Sequence, residues 1–126
     1  MTEFTLKSAL DAKLGMEITE SSPQRVVGRV PVQGNTQPVG LWHGGASCVM
    51  AETLASIGSF LHGQTLGLKA VGTELNATHH RSVTEGWVTG TATPIHLGRT
   101  STSYEVVLVD DAGKRVCTAR VSCRLV

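Results

Sequence analysis

The chain is short of charge: Asp, Glu, Lys and Arg make up 17% of its 126 residues, against about a quarter in an average soluble protein. Its 11 Lys and Arg are balanced by 10 Asp and Glu, so the basic excess typical of nucleic-acid-binding proteins is missing. The shortage indicates that part of the surface is covered, and another copy of the chain is the simplest cover. With 40% hydrophobic residues, we expect one domain over residues 1–126 with a real core.

Paired cysteines and long apolar segments are also missing. The three cysteines, Cys48, Cys117 and Cys123, are odd in number and form no C-x-x-C pair, which argues against a disulfide framework or a zinc knuckle. The N-terminal residues have no apolar core, so no signal peptide is expected. The most apolar stretch, 46–61, is too short and too polar for a membrane span. These absences predict a reduced cytoplasmic protein without membrane contact.

Hydrophobic periodicity predicts the order of helices and strands. Leucines at four-residue spacing predict a short helix over 5–14 that ends at Gly15, and alternating valine and glycine predict a strand over 24–33. A glycine-rich loop over 34–45 then leads to a long helix over 46–61, indicated by an i, i+3, i+4 apolar stripe. Four further strands are predicted over 70–79, 86–95, 101–110 and 115–126, the last two as a hairpin. Because strands and helices do not alternate, we expect an α+β fold with a mostly antiparallel sheet.

The predicted long helix has almost no charge on any face. Opposite its apolar stripe lie small residues and one acid, namely Cys48, Glu52, Ala55, Ser56 and Ser59. Because an exposed helix face normally carries several charges, the helix is expected to be buried on nearly every side. One antiparallel sheet should cover only one side of it, so we expect a second copy of the chain against the face of small residues.

Glu52 is the only charged residue between Val30 and Leu68. No basic residue lies three or four positions away on its helix. A buried carboxylate without a partner is costly, tends to have a raised pKa, and is often retained because it acts chemically. The structural alternatives are a Glu52 that reaches a buried polar partner and one that lies exposed at an edge.

The residues around Glu52 indicate acyl chemistry. Ser56 follows one turn later on the same face, and Gly44 and Gly45 stand where the helix begins, directly after His43. Free N–H groups at a helix start bind anions or polarise a carbonyl group, and we expect both glycine N–H groups to be free. A carbonyl oxygen would then lie at the helix start while Glu52 attacks the carbonyl carbon or activates water.

Other catalytic patterns are absent. The sequence contains no G-x-S-x-G, G-x-G-x-x-G or P-loop motif, so serine hydrolase, Rossmann and P-loop functions lack support. A metal site that joins His79 or His80 to His43 or His96 is disfavoured, because adjacent strand residues point to opposite faces. We therefore expect no metal and no redox cofactor.

Three segments together resemble the hotdog-fold acyl-CoA thioesterases: NTQPVGLWHGGASCVMAETLAS, VGTELNATHHRS and PIHLGRTSTSYEV. The resemblance is to members that hydrolyse aromatic acyl-CoAs, such as 1,4-dihydroxy-2-naphthoyl-CoA in menaquinone biosynthesis and 4-hydroxybenzoyl-CoA. It implies a hotdog fold, in which a curved antiparallel sheet wraps a long helix. It also implies a homodimer, paired further into a homotetramer, with active sites at the dimer interface. An acyl-CoA and water would be the only reactants, with no cofactor.

The resemblance also assigns roles by matching position. Glu52 would be the nucleophile or general base, and Gly44 would donate its N–H to the thioester oxygen. His43 and Gln37 would position the thioester or water, and Ser56 would orient the water or the acyl group. The CoA arm would meet Gly72, then His79, His80, Arg81 and Ser82, and then His96, Leu97, Gly98, Arg99, Thr100 and Ser101.

Three positions stand out in this matching: Arg81, Arg99 and Trp42. Arg81 and Arg99 suit phosphate groups because both are cationic and flank predicted strand ends, although ordinary surface charge is the alternative. Trp42 stands where a smaller aliphatic residue is expected, so we expect it to reshape the acyl pocket.

Other functions fit the same fold. A module that binds acyl-CoA without hydrolysing it would have no use for an unpaired Glu52. A dehydratase or hydratase needs a pair such as His with Asp or Glu, for which only His43 and Glu52 are available. Hydrolysis of phenylacetyl-CoA or of medium-chain acyl-CoAs is a further alternative, and the choice between nucleophile and general base stays open.

Overall fold

Two helices and six strands follow one another in the computed structural model, which describes residues 8–126. They are α1 (Ala9–Leu14), β1 (Glu17–Ser22), β2 (Arg25–Pro31), α2 (Gly44–Gln64), β3 (Ala70–His79), β4 (Trp87–Leu97), β5 (Ser101–Val109) and β6 (Arg115–Leu125). In the described part of the chain, neither helix is long and apolar enough to span a bilayer.

The six strands form one antiparallel sheet in the order β1-β2-β4-β5-β6-β3, so β3 lies at the edge beyond β6. α2 lies across one face of this curved sheet and contacts all six strands. Its close approach needs glycine in the sheet, because a Cβ at Gly28 or Gly90 would strike the side chain of Leu54. A long helix wrapped by a curved antiparallel sheet confirms the predicted α+β hotdog fold.

Most predicted elements are confirmed, with shifted ends. β3 has the predicted bounds, and β2, β4, β5 and β6 differ from the predictions by a few residues. α2 extends from Gly44 to Gln64, beyond the predicted range 46–61 at both ends. β1 was not predicted, because its sequence EITESS is polar and its burial does not alternate. The buried residues of this strand pair come from β2, whose burial alternates along the strand.

α1 is shorter than predicted. It begins at Ala9 because Ser8 is extended and caps the helix, with its hydroxyl accepting the N–H of Asp11 at 3.3 Å. It ends at Gly15, as predicted, in the left-handed conformation with φ 77°. Predicted positions 5–7 lie outside the described residues.

The burial of α2 corrects one expectation. No residue from Ala46 to Gly63 is exposed, and Ala55 and Ser59 are fully buried within a single chain. The sheet therefore covers more than one side of α2, because the sheet curls around the helix. Cys48, Glu52 and Ser56 remain half-buried and belong to the open face of α2.

Candidate active site

The start of α2 leaves one backbone N–H free. His43 precedes the helix in an extended conformation, and its Nδ1 accepts the N–H of Gly45 at 2.8 Å. The N–H of Ala46 donates to the carbonyl oxygen of His43 at 2.9 Å. The N–H of Gly44 has no partner within residues 8–126. The expectation that both glycine N–H groups are free is therefore wrong for Gly45 and holds for Gly44.

The tandem histidines at the end of β3, His79 and His80, point in different directions. The ring of His79 lies over Gly44, since a Cβ on Gly44 would be 3.0 Å from its Nε2. His80 points to the other side of the strand, where its Nε2 and Oγ1 of Thr118 share a hydrogen bond of 2.9 Å. Of these two histidines, the structure places only His79 beside the helix start.

Gln37 lies in the loop before α2, where its side chain closes a turn. Its Oε1 accepts the N–H of Val39 at 2.6 Å and that of Leu41 at 3.3 Å. Because the carbonyl end is occupied, the amide NH₂ is the end that stays without a partner among the described residues. Gln37 therefore offers a hydrogen-bond donor of fixed orientation.

Glu52 lies two turns into α2, half-buried, with its carboxylate against β3. A Cβ on Gly72 would clash with Oε1 of Glu52, so glycine is what makes room for the carboxylate. In the described part of the chain the carboxylate has no hydrogen-bond or ion-pair partner. Ser56 follows one turn later on the open face of α2. The structure thus places the Glu52 carboxylate in contact with Gly72, while Ser56 lies on the same helix face as Glu52.

A cleft of about 300 Å³ opens beside Glu52, between α1, α2 and β3. Oγ1 of Thr53 donates to Oδ1 of Asp11 across it at 2.8 Å. The sequence did not predict that these elements line a cleft. Cys48 and Val49 could have been found from their helical spacing to Glu52, but the lining residues of α1 and β3 could not. The lining residues are Ser8, Leu10, Asp11, Cys48, Val49, Glu52, Thr53 and Leu75.

Trp42 does not line this cleft. Its side chain is buried, with 6% of its surface exposed, and its Nε1 donates to Oγ of Ser47 at 2.6 Å. The indole therefore points into the core beneath the helix start. Trp42 is therefore absent from the lining of this cleft, and its effect on the acyl pocket stays a prediction.

The predicted site residues do not meet in one place. Gly44 and Glu52 are eight residues apart on α2, or about 12 Å along the helix axis. The segment His96 to Ser101 lies near the far end of α2, where Nε2 of His62 contacts the carbonyl oxygen of Gly98 at 2.7 Å. That end is about 27 Å from Gly44 along the helix axis. One chain therefore contains three separate groups of predicted site residues: at the helix start, around Glu52 and in the β4–β5 turn.

The predicted phosphate ligands are both exposed. Nε of Arg81 lies 3.5 Å from Oδ2 of Asp110, and neighbouring Ser82 is exposed as well. Arg99 has no ion-pair partner among the residues the structure describes. Within residues 8–126 no three His, Cys, Asp or Glu side chains lie close enough to hold a metal ion.

Comparison with known proteins agrees with this architecture. The sequence model of the Thioesterase superfamily matches residues 39–117. A thioesterase from Pseudomonas aeruginosa, solved as a variant with one glutamine replaced by alanine, is 38% identical, with 93% of this chain and 85% of that chain covered and a TM-score of 0.88.

Two further thioesterase structures are similar over nearly their whole length. That from Haemophilus influenzae is 32% identical, with 99% of this chain and 92% of that chain covered and a TM-score of 0.89. That from Staphylococcus aureus, again a glutamine-to-alanine variant, is 30% identical, with 94% and 98% covered and a TM-score of 0.89. The chain belongs to the thioesterase superfamily and is a hotdog-fold thioester hydrolase.

Proposed function

We propose that this thioesterase hydrolyses an acyl-CoA to the free acid and CoA, with Glu52 as its catalytic carboxylate. The observation that carries the proposal is the half-buried Glu52 carboxylate, which has no partner in the described chain and lies beside a cleft. The S. aureus relative supports it. That protein was solved with a glutamine and, separately, a glutamate replaced by alanine, and these positions are fifteen apart, as Gln37 and Glu52 are here.

The residues supply two routes to the same products. As general base, Glu52 takes a proton from water while the water oxygen bonds to the carbonyl carbon; the C–S bond then breaks and the CoA sulfur leaves, accepting that proton. As nucleophile, an oxygen of Glu52 forms an anhydride, CoA leaves, and water hydrolyses the anhydride. In both routes the N–H of Gly44 donates to the oxygen that gains negative charge. The amide of Gln37 and the hydroxyl of Ser56 are suited to orient the thioester or water.

The separation along α2 supports a homodimer. A thioester carbonyl group is far shorter than the roughly 12 Å between Gly44 and Glu52 of one chain. Both can act on one substrate if Gly44 belongs to one protomer and the reacting carboxylate is Glu52 of the partner subunit. The CoA arm would likewise meet His79 to Ser82 and His96 to Ser101 from different protomers. Pairing of two such dimers into a tetramer is part of the same proposal.

The cleft beside Glu52 supports an aromatic acyl group. Its walls include the apolar side chains of Leu10, Val49 and Leu75, and its volume of about 300 Å³ suits a ring system. The paired Asp11 and Thr53 place hydrogen-bonding groups in the same cleft. A ring that carries a hydroxyl, as in dihydroxynaphthoyl or hydroxybenzoyl groups, would use both features.

Replacement of Glu52 by glutamine tests the catalytic role. We expect Glu52→Gln to lower kcat by about 10²–10⁴-fold, measured as thiol release from acyl-CoA. Glu74→Gln, the same change at an exposed position of β3, is the matched control and should retain wild-type turnover. Unchanged turnover in Glu52→Gln would refute the proposal. Tight binding of many acyl-CoAs without turnover by the wild type would favour a binding module, and hydration of enoyl-CoA would favour a hydratase.

Two further measurements separate the remaining alternatives. A panel of acyl-CoAs compared by kcat/KM should rank hydroxylated aromatic groups first, whereas higher values for phenylacetyl or medium-chain groups would contradict the aromatic assignment. A single turnover in oxygen-18 water should place label in Glu52 only if an anhydride forms, because the general-base route leaves the carboxylate oxygens unchanged.

A further inference from the structure

A buried hydrogen bond ties the chain that leads into α2 to the first turn of the helix. Nε1 of Trp42 donates to Oγ of Ser47 at 2.6 Å, and Ser47 is fully buried. Trp42 stands just before the capping residue His43, and Ser47 is the fourth residue of α2. These are the positions that a hydrophobic staple joins in other helices. Here a hydrogen bond joins them, and we call the pair the Trp42–Ser47 clasp.

The clasp is attached to the rest of the fold through Trp42. The backbone N–H of Trp42 donates to the carbonyl oxygen of Val83 at 2.8 Å. Ser47 has no exposed surface, so its end of the clasp is enclosed by the core. The clasp therefore joins the loop before α2 to the helix, and Trp42 ties both to the segment between β3 and β4. Neither residue faces the cleft, so neither is needed there for contact with an acyl group.

The clasp encloses the two residues that define the helix start, His43 and Gly44. The cap of His43 occupies the N–H of Gly45, which leaves Gly44 with the free N–H. Since the backbone from Trp42 to Ser47 is closed by the clasp, the direction of that N–H depends on it. An oxyanion donor loses much of its effect when displaced by about 1 Å.

We propose that Trp42 and Ser47 are positioning residues that aim the N–H of Gly44 at the thioester oxygen. This inference rests on the proposed role of Gly44 in acyl-CoA hydrolysis. It gives a function to the indole, which does not line the cleft beside Glu52. Its kinetic consequence is specific: weakening the clasp lowers kcat, because the oxygen gains its charge during reaction, and leaves KM nearly unchanged.

Single and double variants of the full chain test the clasp by activity. Ser47→Ala removes the acceptor, and Trp42→Phe removes the donor but keeps an aromatic ring. We expect each to lower kcat by about 10-fold or more with KM within about twofold. The kcat of the double variant should be no lower than that of the less active single variant, because both changes break the same hydrogen bond.

Ser59→Ala is the matched control. It also removes a buried serine hydroxyl from α2, one bonded to Oγ1 of Thr102 at 2.6 Å, far from the helix start. It should lower the melting temperature as Ser47→Ala does while keeping kcat. Equal kcat in Ser47→Ala and Ser59→Ala, or additive losses in the double variant, would overturn the proposal.

Amide hydrogen exchange judges the clasp without reference to activity. We expect the N–H groups of Gly45 and Ala46 to exchange about 10-fold faster in Ser47→Ala than in the wild type, since the first turn opens more often. Ser59→Ala should leave them unchanged. If wild-type protein hydrolyses no acyl-CoA, the proposed function fails while this exchange result still decides the clasp. Equal exchange in all three proteins would overturn it.

Discussion

At the scale of single residues, glycines decide where the functional groups lie. Gly72 lets the Glu52 carboxylate rest against β3, and Gly44 lets the ring of His79 rest against α2. In each case a Cβ would occupy the space that a neighbouring side chain takes. The same two glycines can therefore be used to test the site, because a small side chain moves one functional group and leaves the rest of the fold in place.

Proline at position 44 tests the free N–H directly. The first turn of a helix accepts proline, and His43 already has the extended conformation that the residue before proline prefers. We expect Gly44→Pro to fold and to lower kcat by about 10²–10³-fold, because it removes one oxyanion donor. Gly44→Ala presents a similar Cβ to His79 but keeps the N–H, so it should lose much less activity. Equal losses in the two variants, measured by thiol release, would argue against the donor.

Alanine at position 72 tests the contact between Gly72 and the Glu52 carboxylate. The added Cβ would clash with Oε1 of Glu52, which is the mobile end of a long side chain, so the carboxylate should move while the strand stays. We expect Gly72→Ala to lower kcat by at least about 10-fold, because a displaced reacting group loses its near-attack geometry. Val71→Ala, at an exposed neighbouring position, should keep wild-type kcat. Full activity in Gly72→Ala would contradict the placement of Glu52.

At the scale of elements, α2 and β5 are joined by one aromatic ring and one pair of hydroxyls. The ring of Tyr104 lies against Gly58, where a Cβ would collide with it. Its hydroxyl donates to the carbonyl oxygen of Pro23 at 2.5 Å, and Ser59 and Thr102 share a buried hydrogen bond. Burial raises the pKa of Tyr104 well above its usual value. We therefore expect the contact between helix and sheet to weaken at alkaline pH.

The raised pKa of Tyr104 predicts a loss of stability in alkali. The folded state holds the neutral phenol, whereas the unfolded chain ionises near the usual pKa of 10.0. The stabilisation is thus complete below that pH and declines above it, by about 1.4 kcal/mol per pH unit. The free energy of unfolding, measured with denaturant at several pH values above 10, should fall more steeply with pH in the wild type than in Tyr104→Phe. Tyr104 is the only tyrosine, so phenolate absorbance should appear with unfolding; its appearance in folded protein would contradict the prediction.

At the scale of the whole molecule, the three groups of site residues are spread along a helix about 31 Å long. The helix start carries Gly44 and His79, the open face carries Glu52, and the β4–β5 turn lies near His62. No bending of one chain brings them together, because α2 is a continuous helix held across the sheet. In the proposed active site, Gly44 of one chain and Glu52 of the partner subunit therefore act on the same thioester.

Mixed dimers test whether the site is shared. Refolding a mixture of Glu52→Gln and Gly44→Pro chains should recover about a quarter of wild-type activity, since half of the dimers are hybrids and each hybrid holds one intact site. A mixture of Glu52→Gln and Glu52→Ala chains is the control and should recover nothing. Absence of recovery in the first mixture, once hybrid dimers are shown by mass, would mean that each chain holds its own complete site.

Much of the fold could be predicted because periodicity is a local property. The apolar stripe of α2 and the alternation of β3 to β6 reflect which side of each element faces the core, and neighbours in sequence record that side. β1 was not predicted, because an edge strand with polar residues on both sides shows no alternation of apolar and polar residues. The first turn of α2 was not predicted, because two glycines in sequence are typical of a loop. Only the structure shows that His43 caps the helix in front of Gly44 and Gly45.

The candidate site divides in the same way. The sequence alone was enough to propose Glu52 as the catalytic candidate, because an isolated acid in a long uncharged stretch is visible without any structure. Only the tertiary structure decided that His79 and not His80 lies over Gly44, that Gly72 receives the carboxylate, and that the indole of Trp42 turns into the core. Those facts depend on which distant strands pair and how tightly the sheet curls around α2. Contacts between residues far apart in sequence follow from packing of the whole chain, which no local pattern records.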